Sequence, residues 1–238
     1  MNPAVSSFQV ALGYRAFEDT AEAGPLIERA HPGLHAEILR QLLAHVVTRG
    51  PVLDLGCGTG AWLARLQRHG FHNVLGVDCD GAAFGLDGTD HVELDLDGTF
   101  SAGIARSFDV ITAIEVIEHL ESPAGFLREA RKLINPGGHL FVTTPNVECI
   151  QGRLRFLLQG RLRNFEDDTS ADPTRISPQL SSLMPRLAAR AGWKVDRRIE
   201  LLTEASRPAV RFVCGMLSPF LDGNAKEGDV HLFVLRPI

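Results

Sequence analysis

The sequence predicts an α/β fold in which helices cover both faces of a doubly wound, mostly parallel sheet of seven strands. Short apolar runs alternate with stretches of helical periodicity over most of the chain, which is the pattern of repeated βαβ units. A glycine-rich turn, Gly56-Cys-Gly-Thr-Gly60, directly follows a strong apolar run. Acidic residues end the next two apolar runs, at Asp78 and Asp95. Side chains at the carboxyl ends of parallel strands are where such sheets bind ligands.

The individual elements follow from periodicity in chain order. Residues 35–47 carry apolar side chains three and four positions apart, which predicts a helix before the first strand of this sheet. The alternation implies parallel strands with right-handed crossovers. Strands are predicted at 51–55, 73–77, 91–94, 108–114 and 138–144, and helices near 60–69, 81–86 and 122–134, the last ended by Asn135-Pro-Gly-Gly138.

The rest of the chain predicts one more helix and two more strands. Ser177-Pro178 is typical of a helix start, so a helix is expected from there to Ala191, before Gly192. Strands are expected at 193–199 and 230–235. Three segments lie outside this alternation, and we expect them to roof the ligand-binding edge of a single domain spanning 1–238. These lid segments are 1–33, 145–176 and 203–228.

Composition excludes several classes of protein. The 238 residues are 45% hydrophobic and 22% charged, which is typical of a folded globular chain. The net charge of −5 argues against a general binder of polyanions, so a nucleic-acid partner is not expected. The four cysteines form no C-x-x-C pair, so neither a zinc site nor a disulfide framework is predicted. The start of the chain lacks a signal pattern and no apolar run reaches about 18 residues, which predicts a cytoplasmic protein.

The glycine turn alone has two interpretations, an ordinary strand-to-helix turn or a nucleotide-binding loop. Its spacing is G-x-G-x-G with Asp54 before it, whereas a dinucleotide-binding loop more typically reads G-x-G-x-x-G. A P-loop is excluded because the chain contains no Gly-Lys pair. Asp78 lies 18 residues beyond Gly60, about where a doubly wound fold places the carboxylate that binds a ribose diol.

With these motifs in this order, the sequence resembles the class I S-adenosylmethionine-dependent methyltransferases. Within that class it resembles the ubiquinone-biosynthesis O-methyltransferases and the methyltransferases of polysaccharide and secondary-metabolite clusters. The resemblance implies a Rossmann-like sheet whose last strand is antiparallel. It is carried by residues 54–60, 78, 93–95, 108–115 and 135–138.

The resemblance also implies roles for individual residues, with S-adenosyl-L-methionine as the cofactor. The glycine turn would hold the methionine portion, Asp78 the ribose hydroxyls, and Asp95 with Leu96 the adenine edge, while Ile114 would pack on the adenine face. For Asp95, a solvated acid in an acidic loop is an equally open interpretation. The predicted cofactor-binding set is Asp54, Gly56, Cys57, Gly58, Gly60, Asp78, Cys79, Asp95, Leu96, Ile114 and Glu115.

Catalytic candidates occur in Glu115-Val-Ile-Glu-His119. If this segment is helical, its two glutamates and His119 share one face. His119 is the first choice for a general base because a near-neutral imidazole can accept a hydroxyl proton, and Glu118 is the second catalytic candidate. A structural role for His119 at the start of a helix is the alternative.

The same five residues resemble the magnesium-binding motif of the small-RNA 3′-terminal ribose methyltransferases. Those enzymes supply a further histidine downstream, and residues 145–201 contain none. We therefore predict no metal site, and metal-assisted ribose methylation of RNA remains an alternative function. A domain that binds the cofactor without catalysis is another.

The segment after the fifth predicted strand carries Arg153, Arg155, Arg161 and Arg163 with no acid among them. With the neighbouring Leu and Phe side chains it could bind a phosphate-bearing substrate or an anionic membrane. A solvated helix whose Leu and Phe face the core is the alternative. In the polysaccharide and secondary-metabolite enzymes a histidine is usual where Arg175 stands. The predicted acceptor is a hydroxyl of a small, glycan-like or lipid-linked molecule.

Overall fold

A computed structural model describes residues 15–17, 26–165, 172–201 and 228–238. Its main feature is the predicted seven-stranded, Rossmann-like sheet. The strands are β1 (Arg15–Phe17), β2 (Leu26–Glu28), β3 (Val52–Leu55), β4 (Val74–Asp78), β5 (His91–Glu93), β6 (Phe108–Ala113), β7 (Ile134–Pro145), β8 (Trp193–Leu201) and β9 (Val230–Pro237). The helices are α1 (Leu34–His45), α2 (Ala61–Arg68), α3 (Pro123–Leu133), α4 (Ile150–Gln159) and α5 (Met184–Arg190).

The strand order of the large sheet is β5-β4-β3-β6-β7-β9-β8. The pairings among β3, β4, β5, β6 and β7 are all parallel. The last strand, β9, lies between β7 and β8 and is antiparallel to both, which confirms the expected topology. β1 and β2 form a separate antiparallel pair.

Two predicted helices are wrong in extent. The helix expected at 81–86 is only a 3₁₀ turn at Gly81–Ala83, because glycines at 81 and 85 disfavour continued helix. The helix expected from Ser177 begins at Met184. Residues 176 and 177 are held apart from it because the amides of Ile176 and Ser177 both donate to the Glu118 carbonyl, at 3.0 and 2.8 Å.

The sheet separates two apolar cores, as expected for a doubly wound fold. Successive residues of β3 point to opposite faces, so Leu53 contributes to one core and Val52 to the other. Helix α1 packs Ile38 and Leu42 into the same core as Val52. Within the described ranges, no helix is long and apolar enough to cross a membrane.

The central strands place the predicted functional residues at one edge. The chain moves from β3 outward to β4 on one side and later returns to β6 on the other, so the carboxyl ends of these three strands surround a crevice. The glycine turn follows β3, Asp78 ends β4, and Ile114 follows β6. The expected segment 203–228 lies outside the described residues except for Gly228.

Candidate active site

A cavity of about 590 Å³ opens at this edge of the sheet. A smaller cavity of about 30 Å³, lined by Asp54 and Cys57, adjoins it and shares Gly56, Gly58 and Ile114 with it. Gly60 and Glu118 line neither cavity. The structure brings nine of the predicted residues together around the large cavity: Gly56, Gly58, Asp78, Cys79, Asp95, Leu96, Ile114, Glu115 and His119.

The glycine turn needs its glycines for two different reasons. Gly56 has a φ of 81°, and a Cβ there would lie 2.3 Å from Val116 Cγ2, so only glycine fits the close packing. Gly58 has a φ of 49°, and the nearest atom to a Cβ there would be Arg29 Cδ at 3.6 Å. The backbone at Gly58 is therefore open to a ligand in the cavity.

Asp78 is fixed at the end of β4 by two backbone amides. Gly58 N donates to Asp78 Oδ2 at 2.8 Å, and Asp80 N donates to Oδ1 at 3.0 Å. The carboxylate thus joins the glycine turn to β4 and lines the cavity. A carboxylate held in this way is suited to accept hydrogen bonds from a ribose diol.

Asp54 lies beneath the turn and is only 2% exposed. Thr112 Oγ1 donates to Asp54 Oδ1 at 2.7 Å, and Trp62 Nε1 donates to Thr112 Oγ1 at 3.1 Å. Burial first, and the negative charge of Asp78 second, raise the pKa of Asp54 to about 7. A positively charged ligand group beside Asp54 would lower this pKa again.

Asp95 and Leu96 border the far side of the cavity. Leu96 is buried, whereas Asp95 is exposed and accepts a hydrogen bond from Asp97 N at 2.9 Å. An apolar side chain beside an exposed acid is compatible with the edge of an adenine. The carboxylates of Asp78, Asp54 and Asp95, which accept hydrogen bonds, are therefore compatible with the ribose, the cationic methionine end and the base of S-adenosylmethionine.

Glu115 begins the second half of the site and adopts an unusual backbone conformation, with a φ of 53°. Its carboxylate lies 2.7 Å from His31 Nδ1 and 3.7 Å from Arg175 Nη2. Burial alone would raise the pKa of Glu115, but the charge and hydrogen bonds of His31, together with Arg175, lower it to about 2. Its amide donates to Thr143 Oγ1 at 2.9 Å.

The expected helical face of Glu115, Glu118 and His119 does not form. Residues 117–119 make a single 3₁₀ turn, so the three side chains have different surroundings. Glu118 is completely buried. Its nearest charged partner is Arg175, whose Nε lies 3.9 Å from Glu118 Oε1. Among the described residues neither carboxylate oxygen of Glu118 has a hydrogen-bond partner.

Burial first, and the charge of Glu115 second, raise the pKa of Glu118 well above its usual value. The described residues contain no group of three or more His, Cys, Asp or Glu side chains arranged to hold a metal ion. Glu118, the second catalytic candidate, lines neither cavity and lies beside Arg175.

His119 lines the cavity and is half-buried. Its Nδ1 lies 2.7 Å from Thr174 Oγ1, and Thr174 Oγ1 donates to Asp172 Oδ1 at 2.6 Å. Burial lowers the pKa of His119, and the charge of Asp172 opposes this only in part. The imidazole is accordingly neutral near pH 7 and able to accept a proton.

Sequence reasoning missed five residues of this site. They come from two of the segments expected to form a lid, and nothing in their local pattern indicates a ligand or a catalytic contact. The usable signals are Asp172-Pro-Thr174, a turn-forming sequence, and Arg175, which stands where a histidine is usual in the enzymes that the sequence resembles but was assigned no role. The missed residues are Arg29, His31, Asp172, Thr174 and Arg175.

The arginine-bearing segment forms α4 and the turn after it. The alternative in which its Phe and Leu face the core is wrong for Phe156, Leu157 and Leu158, which are 56%, 79% and 78% exposed. Arg163 makes contacts within the fold, because its Nη1 contacts Asp229 Oδ1 at 3.0 Å and Cys149 Sγ at 3.2 Å. Arg161 is exposed.

Comparison with known proteins gives consistent results. The protein family described as "Methyltransferase domain" matches residues 27–197. The ubiquinone biosynthesis O-methyltransferase of Paraburkholderia xenovorans is 31% identical over 144 residues, which are 57% of this chain and 60% of that protein. The relative from Caulobacter vibrioides is 36% identical over 103 residues, 40% of each chain. The chain thus spans at most about 60% of the length of these curated relatives.

Solved structures agree on the fold. A SAM-dependent methyltransferase from Archaeoglobus fulgidus superimposes with a TM-score of 0.60 at 16% identity, covering 85% of this chain and 92% of that one. Magnesium protoporphyrin IX methyltransferase from Synechocystis, solved with bound SAH, gives a TM-score of 0.53 at 13% identity over 85% and 81% of the two chains.

Proposed function

We propose that this chain methylates a hydroxyl group of a small-molecule or glycan-like acceptor. The chain belongs to the methyltransferase domain family and is an S-adenosylmethionine-dependent methyltransferase. The observation that carries the proposal is His119. Its imidazole lines the same cavity as Gly58 and Asp78, so a base is present where cofactor and acceptor would meet. A hydroxyl needs such a base more than an amine or thiolate does.

The residues of the site would have two roles, binding of the cofactor and transfer of a proton. When bound, S-adenosylmethionine supplies an electrophilic methyl group on a sulfonium. Asp54 and Asp78 would hold its methionine and ribose portions. His119 would accept the acceptor's hydroxyl proton as the new oxygen–carbon bond forms and the carbon–sulfur bond breaks. Positioning contributes up to about 7–11 kcal/mol in favourable systems, and a base typically 10²–10⁴-fold in rate.

Metal-assisted methylation of an RNA ribose is less well supported by the geometry. It would require Glu115, Glu118 and His119 to converge on one ion, whereas they contact His31, Arg175 and Thr174 respectively. Chelation provides the test, because activity that is abolished by a chelator and restored by magnesium would favour the metal enzyme. We expect turnover to be indifferent to the chelator.

A turnover assay distinguishes the proposed enzyme from a domain that binds the cofactor without catalysis. Wild-type protein and labelled cofactor are incubated with a panel of catechols, phenols and sugars, and methyl ethers are identified by mass spectrometry. We expect His119→Ala to lower turnover by 10²–10⁴-fold and to leave cofactor affinity within about twofold. His72→Ala, at an exposed position outside the cavity, is the control. Equal turnover in His119→Ala and wild type would contradict the proposed base.

The exposed part of α4 supports the further proposal that the acceptor is lipid-linked or met at an anionic membrane. Phe156, Leu157 and Leu158 are exposed apolar side chains near the end of α4, and the exposed Arg161 lies three residues after Leu158. Apolar side chains beside a cation are the combination that binds an anionic lipid surface. The proposed docking surface is thus residues 156–158 and 161.

Vesicle sedimentation tests this surface. We expect binding to vesicles of phosphatidylcholine with phosphatidylglycerol, and loss of binding on changing Leu157 and Leu158 together to Asp. Val47→Asp, at a position 94% exposed on another part of the chain, is the matched control. Equal binding by all three proteins, or by none, would contradict the proposal.

A further inference from the structure

Three polar side chains, those of His119, Thr174 and Asp172, form a hydrogen-bonded chain along the wall of the large cavity. Thr174 Oγ1 lies 2.7 Å from His119 Nδ1 and 2.6 Å from Asp172 Oδ1. The same Asp172 oxygen also accepts the Thr174 amide at 2.9 Å. All three residues line the large cavity. The threonine hydroxyl therefore connects an imidazole to a carboxylate.

The direction of these hydrogen bonds follows from counting protons. Burial alone would raise the pKa of Asp172, but the hydrogen bonds from Thr174, together with the charges of His119 and Arg175, lower it, so this carboxylate is ionised and can only accept. The single hydroxyl proton of Thr174 must then point to Asp172. Thr174 Oγ1 can only accept from His119, and the imidazole proton must sit on Nδ1. A neutral imidazole protonated on Nδ1 has its lone pair on Nε2.

We propose that Thr174 and Asp172 are positioning residues that hold His119 in the tautomer with Nδ1 protonated, so that Nε2 receives the acceptor's hydroxyl proton. This deepens the proposed function and rests on His119 being its base. The oxygen–hydrogen bond of the acceptor breaks, the proton moves to Nε2, and the imidazolium keeps its Nδ1 proton on Thr174. Asp172 then supplies a negative charge next to the positive charge that develops.

The fold keeps this arrangement in register. Ile176 N and Ser177 N donate to the carbonyl of Glu118, the residue that precedes His119, and Arg175 N donates to the Asp172 carbonyl at 3.2 Å. The segment that carries Thr174 is thus bound to the backbone that carries His119. Three charged groups act on the imidazole: Asp172 and Glu115 favour its protonation and Arg175 opposes it.

The tautomer can be measured without knowing the acceptor. In protein with ¹⁵N-labelled histidine, long-range proton–nitrogen correlation spectra above the pKa of His119 report which ring nitrogen carries the proton, and His119→Gln assigns the signal. We expect Nδ1–H in the wild type, a shift toward Nε2–H in Thr174→Val, and retention of Nδ1–H in Thr174→Ser. The signals of His72 serve as the internal control.

Kinetics give the second readout. We expect Thr174→Val to lower kcat by roughly ten- to a hundredfold, as for loss of a hydrogen bond to a charged group, with the KM for the cofactor unchanged and Thr174→Ser restoring turnover. Nε2–H in the wild type, or the same tautomer in Thr174→Val, would overturn the positioning role. Because the spectrum needs no turnover, that result is distinct from a failure of the proposed methylation, which His119→Ala tests.

Discussion

The two halves of the cavity are built in different ways. One half carries Asp54 and Asp78, the residues proposed to hold the cofactor, and is called the cofactor half. There Asp54 is hydrogen-bonded to Thr112 in the sheet, and Asp78 to Gly58 in the first turn of the sheet. In the other half, which carries the proposed base His119 and is called the acceptor half, Glu115 is hydrogen-bonded to His31, 84 positions away, and His119 to Thr174, 55 positions away. Glu115, predicted from sequence to bind the cofactor, is grouped here by these contacts. The cofactor half is therefore part of the central sheet, whereas the acceptor half takes its geometry from segments outside it.

The two halves also shift the pKa of a buried carboxyl group in opposite directions. Asp54 and Glu115 are 2% and 8% exposed, yet the pKa of Asp54 is raised to about 7 and that of Glu115 is lowered to about 2. Burial acts in the same direction on both. The difference is that His31 and Arg175 accompany Glu115, whereas the charge acting on Asp54 is that of another acid.

The largest expected effect follows from Asp54→Asn. A pKa moved from 3.8 to about 7 corresponds to a cost on the order of 4 kcal/mol for the ionised form. Between these pH values the folded chain binds more protons than the unfolded chain, so wild-type stability falls as pH rises. We expect Asp54→Asn to remove that slope and to be the more stable protein at pH 8, as measured by urea unfolding.

The same substitution should weaken binding of the cofactor, because a neutral amide lacks the charge that would face the methionine portion. Titration calorimetry with S-adenosylmethionine measures that loss. Equal stability of variant and wild type across pH 4–8 would show that the two halves do not differ as described.

Glu115→Gln is expected to act in the opposite direction. The folded-state pKa is lowered from 4.5 to about 2, so this group contributes stability above pH 4.5, on the order of 3 kcal/mol, which is lost as pH falls toward 2. The variant should therefore be less stable at pH 7 and show a flatter pH dependence below 4.5. Unfolding curves from pH 2 to 7 test this, and a variant as stable as wild type at pH 7 would count against the ion pair.

Asp78→Ala should affect binding more than folding. The loss of one charge-assisted contact to the ribose costs about 1.5–3 kcal/mol, or roughly ten- to a hundredfold in affinity for S-adenosylmethionine. The amides of Gly58 and Asp80 also lose their acceptor, so the unfolding free energy of the variant is measured alongside its affinity. Calorimetry provides the measurement, with Asp87→Ala, at an exposed position outside the cavity, as control. Unchanged affinity in Asp78→Ala would remove this residue from the cofactor half.

The smallest effect is expected for Glu118→Gln. The pKa of Glu118 is raised well above its usual value by burial and by Glu115, so an amide replaces this carboxyl group with little change in charge. We expect the free energy of unfolding at pH 7 to change by less than about 1.5 kcal/mol, because a neutral amide of the same size replaces a neutral carboxyl group. A loss as large as that of Glu115→Gln would mean that Glu118 is ionised.

The contrast explains how much could be predicted from sequence. The glycine turn and Asp78 were predictable because strand, turn and acid are contiguous or follow the βαβ repeat. The turn at Ile117–His119 was not, because the left-handed conformation of Glu115 is stabilised by His31, Thr143 and Arg175, whose positions depend on the whole fold. Similarly, the late start of α5 depends on two hydrogen bonds to Glu118 that no local pattern encodes.

The place of β9 bears on how the chain folds during synthesis. β9 is made after β8 yet lies between β7 and β8, so β8 cannot join the sheet until β9 has left the ribosome. Until then β7 presents an open edge with unpaired backbone groups, which is the kind of edge that promotes aggregation. β3, β4 and β6 can pair while translation continues, because every partner they need lies upstream of residue 146. The nascent protein should therefore be able to form its glycine turn before it can complete the sheet.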